Sequence, residues 1–434
     1  MKKEKFIITG LDGKKTLNGS VVINGAKNAV LKVMAGAILF DDEVTLLNVP
    51  DTEDVKKMIL LLRKLGAKVS DVVDKKVTID ASTITSTDLD DTLSQSMRSS
   101  VVLTGPLLAR FGKVSFSSPG GCVIGARPID LFIDGYEKMG AKVELKDDRY
   151  IITAEKLKGT EIFFNVPTVG GTETLMMAGV LGQGTTVLKN CAMEPEIVSQ
   201  AEYLNSCGAD IRGAGTTTIE IHGGALLHGK GKPYVTIPDR IEAGSFLLLG
   251  ALTADNMTID NCNPLHLEVL INMLKSSGVP ITTTENSIII KNNGSIENRD
   301  FKSFNVRTHE YPGFPTDLQA PVVIFLTQIT GESVIFETIY EGRFKYIQEL
   351  IKMGTTITSM NPREILVKGP NELTASRDEE LEAHDIRAGF AVVMAALVGK
   401  GVSTVNNVYY IDRGYEMLEK RLTAIGAVIH REVA

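Results

Sequence analysis

Charged residues in this sequence gather at one kind of place, the start of a helix. Lys27 and Asn28 stand just ahead of an apolar, small-residue helix, and Arg98 comes early in a second. Arg240, Asp317, and Asp385 with Arg387 hold like positions in three more segments of that character. Arg127, Arg343 and Arg413 precede amphipathic helices. A helix N-terminus presents free N–H groups to an anion, and a guanidinium adds a two-pronged donor. Together they read as a holder for a ligand rich in phosphate and carboxylate. The segment Ser118-Pro119-Gly120-Gly121-Cys122-Val123-Ile124-Gly125-Ala126-Arg127-Pro128 is the most unusual of the chain. Its glycines and prolines describe a loop that moves between defined ends. A thiol beside Arg127 and a helix start is expected to have a lowered pKa, which suits it to proton transfer or nucleophilic work.

Each of these residues also has a plainer reading. An arginine in a loop is by default a solvated charge or half of a structural ion pair. Asn28, Asp317 and Asp385 would serve as helix caps, and a free cysteine is usually a small buried hydrophobe. The functional reading therefore rests on the set and not on any one member. Of the four cysteines, Cys191, Cys207 and Cys262 read as structural, and no spacing matches a zinc site or disulfide framework. The nucleotide-loop, Rossmann and zincin motifs are absent. We expect no metal and no bound cofactor.

The 434 residues are 43% hydrophobic and 23% charged, with 40 glycines, no tryptophan and a net charge of -7. These are values of a globular chain with material for two or three domains. Mild acidity disfavours nucleic acid and anionic membranes, leaving room for a local basic pocket. Apolar stretches such as 389–398 are too short to cross a bilayer, and the first residues form no signal-peptide core. The expectation is a cytoplasmic protein with no membrane insertion, no nucleic-acid partner and no obligate protein partner.

The elements that position the charged residues form a repeat. MILLLRKLGAKV, IDGYEKMGAKV, AEYLNSCGADI, INMLKSSGVPI, IQELIKMGTTI and EKRLTAIGAVI share one phrase, centred on Gly66, Gly140, Gly208, Gly278, Gly354 and Gly426. The phrase recurs roughly every 70 residues. Four residues before each glycine stands Leu62, Tyr136, Leu204, Leu274, Leu350 or Leu422, and three after it Val69, Val143, Ile211, Ile281, Ile357 or Ile429. An inward helix stripe, a left-handed stop and a strand start account for the three positions. Small-residue helices are predicted at 26–39, 95–109, 170–181, 243–253, 317–327 and 386–398, each followed by a strand, and closing strands at 77–80, 150–153, 219–222 and 287–291. The sixth unit lacks its closing strand and residues 5–10 are a spare one, so the N-terminal strand is expected to complete it. The fold class that follows is α/β (α+β), in two domains of three β-α-β-α-β-β units, 23–237 and 1–22 with 238–434, with a cleft between them.

INGAKNAVL, QSMRSS, GGCVIGARPIDL, PDRIEAG, YPGFPTDLQ, EGRF, HDIRAG and YYIDRGYE, in that order along the whole chain, resemble the motifs of the bacterial UDP-N-acetylglucosamine enolpyruvyl transferases. The sister 3-phosphoshikimate enolpyruvyl transferases share the six-unit plan but lack this cysteine loop and FPTD context. The resemblance implies an EPSP synthase-like inside-out α/β barrel. It also implies transfer of enolpyruvyl from phosphoenolpyruvate to the 3′-hydroxyl of UDP-N-acetylglucosamine, with phosphate released, as the first committed step of peptidoglycan synthesis. By position it makes Cys122 the general acid and the target of the epoxide fosfomycin, and Asp317 the base. Lys27, Arg98, Arg127 and Arg413 would bind phosphoenolpyruvate, with Lys27 and Arg413 counted in the catalytic set. Arg343, Asp385 and Arg387 shape the site, with Ile339 among the substrate contacts. Asn28 and Asp317 would contact the sugar, and Arg127, Pro128, Ile129, Asp130, Leu131, Thr168, Val169 and Gly170 the uridine diphosphate. Two residues depart from the pattern. Phe132 stands where histidine is expected, and Lys32 stands where proline is common and reads as a surface or helix-start change. A non-catalytic paralogue that binds the sugar nucleotide, or a 3-phosphoshikimate enzyme, remains the alternative.

Overall fold

In the computed structural model, which describes residues 4–13, 16–117, 129–291, 293–294, 300–375 and 379–433, six amphipathic helices end in the same way. They are Glu53–Leu65, Asp130–Lys138, Pro195–Ser206, Glu268–Ser277, Ile347–Lys352 and Leu418–Ala424. The glycines that follow, Gly66, Gly140, Gly208, Gly278, Gly354 and Gly426, have φ between 87 and 115°. In each case the glycine N–H donates three residues back. The next N–H donates to the carbonyl of Leu62, Tyr136, Leu204, Leu274, Leu350 or Leu422. This pair of bonds closes the last turn and needs a left-handed residue, which glycine supplies without strain. The side chains of those same six acceptor residues are buried, so one position supplies both the backbone acceptor and the packing contact.

Each helix stop leads into a strand of one of six sheets among the described residues, five of four strands and one of three, which share an antiparallel core of three strands. In one, the parallel pair Glu161–Phe163 and Thr185–Lys189 is extended by Thr218–His222 and Asp210–Arg212, both antiparallel to their neighbours. The parallel pair is joined across the helix Val169–Val180, as parallel strands require. The sheet of Val306–Arg307, Gly331–Phe336, Glu364–Gly369 and Thr356–Asn361 repeats that order. Glu4–Thr9 lies between Val402–Asn406 and Val428–Val433, antiparallel to both, in the place a closing strand holds elsewhere. Two parallel edge strands come from distant sequence: Leu17–Val22 pairs with Ala254–Asp260, and Tyr234–Val235 with Glu43–Leu47.

The described residues form two compact units. One takes in the residues up to Asn24 and those from Pro238 onward, and the other those between Gly25 and Ile237. Each has its own hydrophobic core. In the first unit Arg240–Thr253, Gln319–Thr327 and Ile386–Val398 pack on one another and are buried almost throughout. In the second, Lys27–Gly36 and Val169–Val180 are buried almost throughout, and Thr104–Phe111, buried from Thr104 to Leu108, packs on Val169–Val180. A helix apolar on all sides is one that protein wraps on all sides, and the strands around it alternate buried and outward residues. Among the described residues no helix is long and apolar enough to cross a membrane.

The helix expected over 95–109 is instead broken into Asp91–Ser96, a 3-10 segment Arg98–Leu103, and Thr104–Phe111. Pro106 has no N–H to offer the Val102 carbonyl and its ring would crowd it, so the α-helix restarts with the proline in its first turn. The restarted helix lies very close to Val169–Val180: a β-carbon on Gly105 would fall 2.3 Å from the Thr174 carbonyl oxygen. Gly105→Ala is therefore expected to cost about 1–3 kcal/mol. It would be seen as a lower urea midpoint at unchanged m-value, and a variant as stable as the parent would refute this close packing.

Candidate functional site

Asp317 sits in the 3-10 turn Thr316–Leu318 that leads into the buried helix Gln319–Thr327. Its Oδ1 accepts from Arg343 Nη2 at 2.7 Å, and its Oδ2 lies 3.8 Å from Arg387 Nη2. Asp317 keeps 30% of its side-chain surface, against 4% and 6% for the two arginines. Arg343 Nη1 donates to Thr316 Oγ1 at 2.6 Å, and that hydroxyl donates to Glu337 Oε2 at 2.8 Å. Glu337, fully buried, takes the backbone N–H groups of Ile339 and Tyr340 on its other oxygen. Burial alone would lower the Arg343 pKa, but Asp317 and Asp385 outweigh it and hold the pKa above the ordinary arginine value. Arg387 lies over the Tyr415 ring, 5.4 Å from its centroid. Burial is again outweighed there, by Tyr415, Asp317 and Asp239, and the Arg387 pKa is raised.

Asp385 caps Ile386–Val398, its Oδ1 accepting from the N–H groups of Arg387 at 2.8 Å and Ala388 at 3.0 Å. Asp239 does the same for Arg240–Thr253. Of the two aspartates whose capping role the sequence leaves open, Asp385 is a cap and Asp317 is not: Asp317 accepts from a guanidinium. Arg413 is buried at the end of the short helix Tyr409–Asp412, two residues before Tyr415. A carboxylate held between two buried cations and still open to solvent can accept a hydrogen bond from a hydroxyl brought to it.

In the unit from Gly25 to Ile237, Lys27 opens Lys27–Gly36 and is buried, its Nζ 3.0 Å from Oδ2 of Asp54. Asn28 beside it is half-buried. Arg98 opens the segment Arg98–Leu103, which packs against both Lys27–Gly36 and Val169–Val180. Thr168 caps the latter helix, its Oγ1 accepting from Gly171 N–H at 3.2 Å. Val169 and Gly170 are half-exposed, and nothing lies within 4 Å of where a β-carbon on Gly170 would be. Ile129 is the buried N-cap of Asp130–Lys138, Asp130 is exposed and Leu131 half-buried. Cys122, Arg127 and Pro128 lie outside the described residues.

The two departures from the family pattern resolve differently. Phe132 is buried edge-on to Tyr136, ring centroids 6.3 Å apart, so this change lies inside the helix packing. Lys32 is not the surface change the sequence led us to expect. It is buried, and its ammonium is paired with the fully buried carboxylate of Glu173. A charge on an inward helix face needs an opposite charge, and Glu173 supplies it from the facing helix.

Several residues of these networks escape a reading of helix starts, yet two left a signal. Asp54 stands four residues before Met58 and eight before Leu62, on the apolar stripe of Glu53–Leu65, where a carboxylate needs a buried partner. Glu337 continues the inward phase of Ser333 and Ile335 along its strand. Thr316 and Tyr415 carry no such mark. Among the described residues no three His, Cys, Asp or Glu side chains are grouped to hold a metal ion.

Comparison with known proteins gives this arrangement a class. The crystal structure of the enolpyruvyl transferase NikO from Streptomyces tendae matches with a TM-score of 0.88 and 25% identity, all of both chains being covered. The architecture is that of an enolpyruvyl transferase. Residues 11–422 also match the profile of EPSP synthase (3-phosphoshikimate 1-carboxyvinyltransferase), and the chain belongs to the EPSP synthase family. Within it, a protein from Desulforapulum autotrophicum named UDP-N-acetylglucosamine 1-carboxyvinyltransferase is 43% identical over 96% of this chain and 98% of its own. One from Carboxydothermus hydrogenoformans, named UDP-N-acetylglucosamine 1-carboxyvinyltransferase 2, is 42% identical over 99% of each.

Burial pushes the Glu173 carboxyl up to about 7, against the pull of Lys32 and with added push from Glu196 and Glu194. A carboxyl that holds its proton more tightly folded than unfolded favours the folded state in acid. That contribution is full below the ordinary carboxylate range and is lost as pH rises through about 7. Between about pH 5 and pH 7.5, the urea midpoint of the parent should therefore fall more than that of the Lys32→Met/Glu173→Leu double variant. Parallel pH profiles for the two proteins would contradict the assignment.

Proposed function

We propose that the chain transfers the enolpyruvyl group of phosphoenolpyruvate to the 3′-hydroxyl of UDP-N-acetylglucosamine and releases phosphate, the first committed step of peptidoglycan synthesis. The observation that carries this reading is Asp317, a carboxylate open to solvent and held by Arg343 and Arg387 at the start of a buried helix. In the addition step the sugar oxygen bonds to C2 of phosphoenolpyruvate as its proton passes to Asp317, and C3 takes a proton from Cys122. In the elimination step C3 gives a proton back to the Cys122 thiolate, the bond from C2 to the phosphate oxygen breaks, and phosphate leaves with the electron pair and the proton held by Asp317. The products are an enolpyruvyl ether and inorganic phosphate.

The reaction needs cations for a phosphate and a carboxylate, and Lys27, Arg98, Arg127 and Arg413 are assigned to phosphoenolpyruvate. Asn28 and Asp317 are assigned to the sugar. The nucleotide falls to Arg127, Pro128, Ile129, Asp130 and Leu131 with Thr168, Val169 and Gly170, the last three at a helix start suited to an anion. Arg343 and Arg387 hold Asp317, Asp385 holds the helix that carries Arg387, and Ile339 belongs to the network behind them. Both substrates are cytoplasmic metabolites, and the enzyme acts in the cytoplasm.

A coupled phosphate-release assay tests the reading. Release is expected only with both substrates present, and release with 3-phosphoshikimate as the better acceptor would replace it. Asp317→Asn should lower kcat/KM by about 10²–10⁴-fold with the fold intact, and unchanged turnover would remove Asp317 from the mechanism. Fosfomycin should inactivate the enzyme and leave one adduct on Cys122 by mass spectrometry, an adduct absent from Cys122→Ser. Inactivation of the serine variant at the wild-type rate would defeat the assignment.

A further inference from the structure

The two helices whose first turns carry the proposed sugar and nucleotide contacts, Lys27–Gly36 and Val169–Val180, touch at matching turns. A β-carbon on Gly36 would fall 3.6 Å from the Met177 sulfur. One turn nearer each start, Lys32 Nζ pairs with Glu173 Oε2. Four residues earlier again stand Asn28 and Val169, in the same column of side chains, because positions i and i+4 share a helix face. The Lys32 carbonyl also accepts from Gln200 Nε2 at 3.2 Å, which fastens this turn to the helix Pro195–Ser206.

Both members of the pair are buried, Lys32 at 7% and Glu173 at 0% exposed. A buried ion pair is a poor device for stability alone, since apolar residues of like volume serve as well or better. What distinguishes it is geometry. An ammonium and a carboxylate without water must stay within hydrogen-bond reach, whereas an apolar contact tolerates sliding. Glu173 Oε1 has no hydrogen-bond partner among the described residues, so the carboxylate is fixed through its bond to Lys32 alone.

We propose that Lys32 and Glu173 are a positioning pair that sets the spacing between Asn28 on one helix and Thr168, Val169 and Gly170 on the other, and thereby fits the site to the length of its sugar nucleotide. The proposal rests on the function assigned above. Neither residue touches substrate; each acts through the first turn of its own helix.

The test compares wild type, Lys32→Met, Glu173→Leu and the double variant by steady-state kinetics, by calorimetric binding of UDP-N-acetylglucosamine and by urea unfolding. Wild type speaks to the function itself: absence of phosphate release from the two substrates together ends that reading whatever the variants do. Given wild-type turnover, each single variant is expected to raise KM and Kd for UDP-N-acetylglucosamine about tenfold, with a clearly smaller rise in the KM for phosphoenolpyruvate, whose cation Lys27 shares that first turn but is also held by Asp54. The double variant removes both buried charges. It is expected to recover the urea midpoint lost in the single variants and to keep the raised KM for the sugar nucleotide. Recovery of midpoint and KM together would make the pair a stability element only and overturn the proposal. So would KM values that rise equally for both substrates, or that do not rise. If a single variant fails to fold, the double variant decides by the same split.

Discussion

A helix wrapped by protein on every side has first N–H groups that water cannot satisfy, and the rest of this structure follows from that constraint. The inner helices of both units are largely apolar, and charged side chains buried along their length are paired, Lys32 with Glu173 and Glu242 with Arg421. Their first turns are where polar groups are required. Asp239, Asp385 and Thr168 meet the need by capping. Once a helix start has to be polar, charged and polar side chains have a place that does not disturb the core. Lys27, Asn28, Asp317, Arg387, Val169 and Gly170 all stand within a turn of such a start.

Burial on this scale also sets how the charges are arranged. Lys27 is paired with Asp54, Lys32 with Glu173, Arg343 with Asp317, and Arg421 with Glu242. In each unit, then, these cations are already oriented by carboxylates. An anion brought to such a donor would meet a side chain whose entropy has been spent in folding, and would have to share it with the carboxylate already there.

The glycine stops show what a sequence can carry. Leu62, its five counterparts and the glycines four residues later are local and repeated, and the same two hydrogen bonds recur at all six. Asp317 and Asp385 show where locality ends. Both read as possible caps, and only the long-range approach of Arg343 and Arg387 separates them. Lys32 is the clearest case: its partner lies 141 residues away, so a buried charge looked like a surface one. The restart of the α-helix at Thr104, by contrast, is legible in Pro106, whose missing donor a run of small apolar residues masks.

The pairing of Glu4–Thr9 bears on how the chain comes to be folded. Phe6 lies opposite Val405 on one side and Arg431 on the other. During synthesis this strand emerges before either partner, with the whole of the other unit made in between. The unit from Gly25 to Ile237 is contiguous and is complete long before, so it can fold while the ribosome is still working on the other. Phe6, Ile7 and Ile8 spend that interval as an unpaired apolar edge, the kind of segment that seeks strands on neighbouring chains. The contiguous unit can thus form before the other has all its strands, and the hazard of misassembly falls on the second.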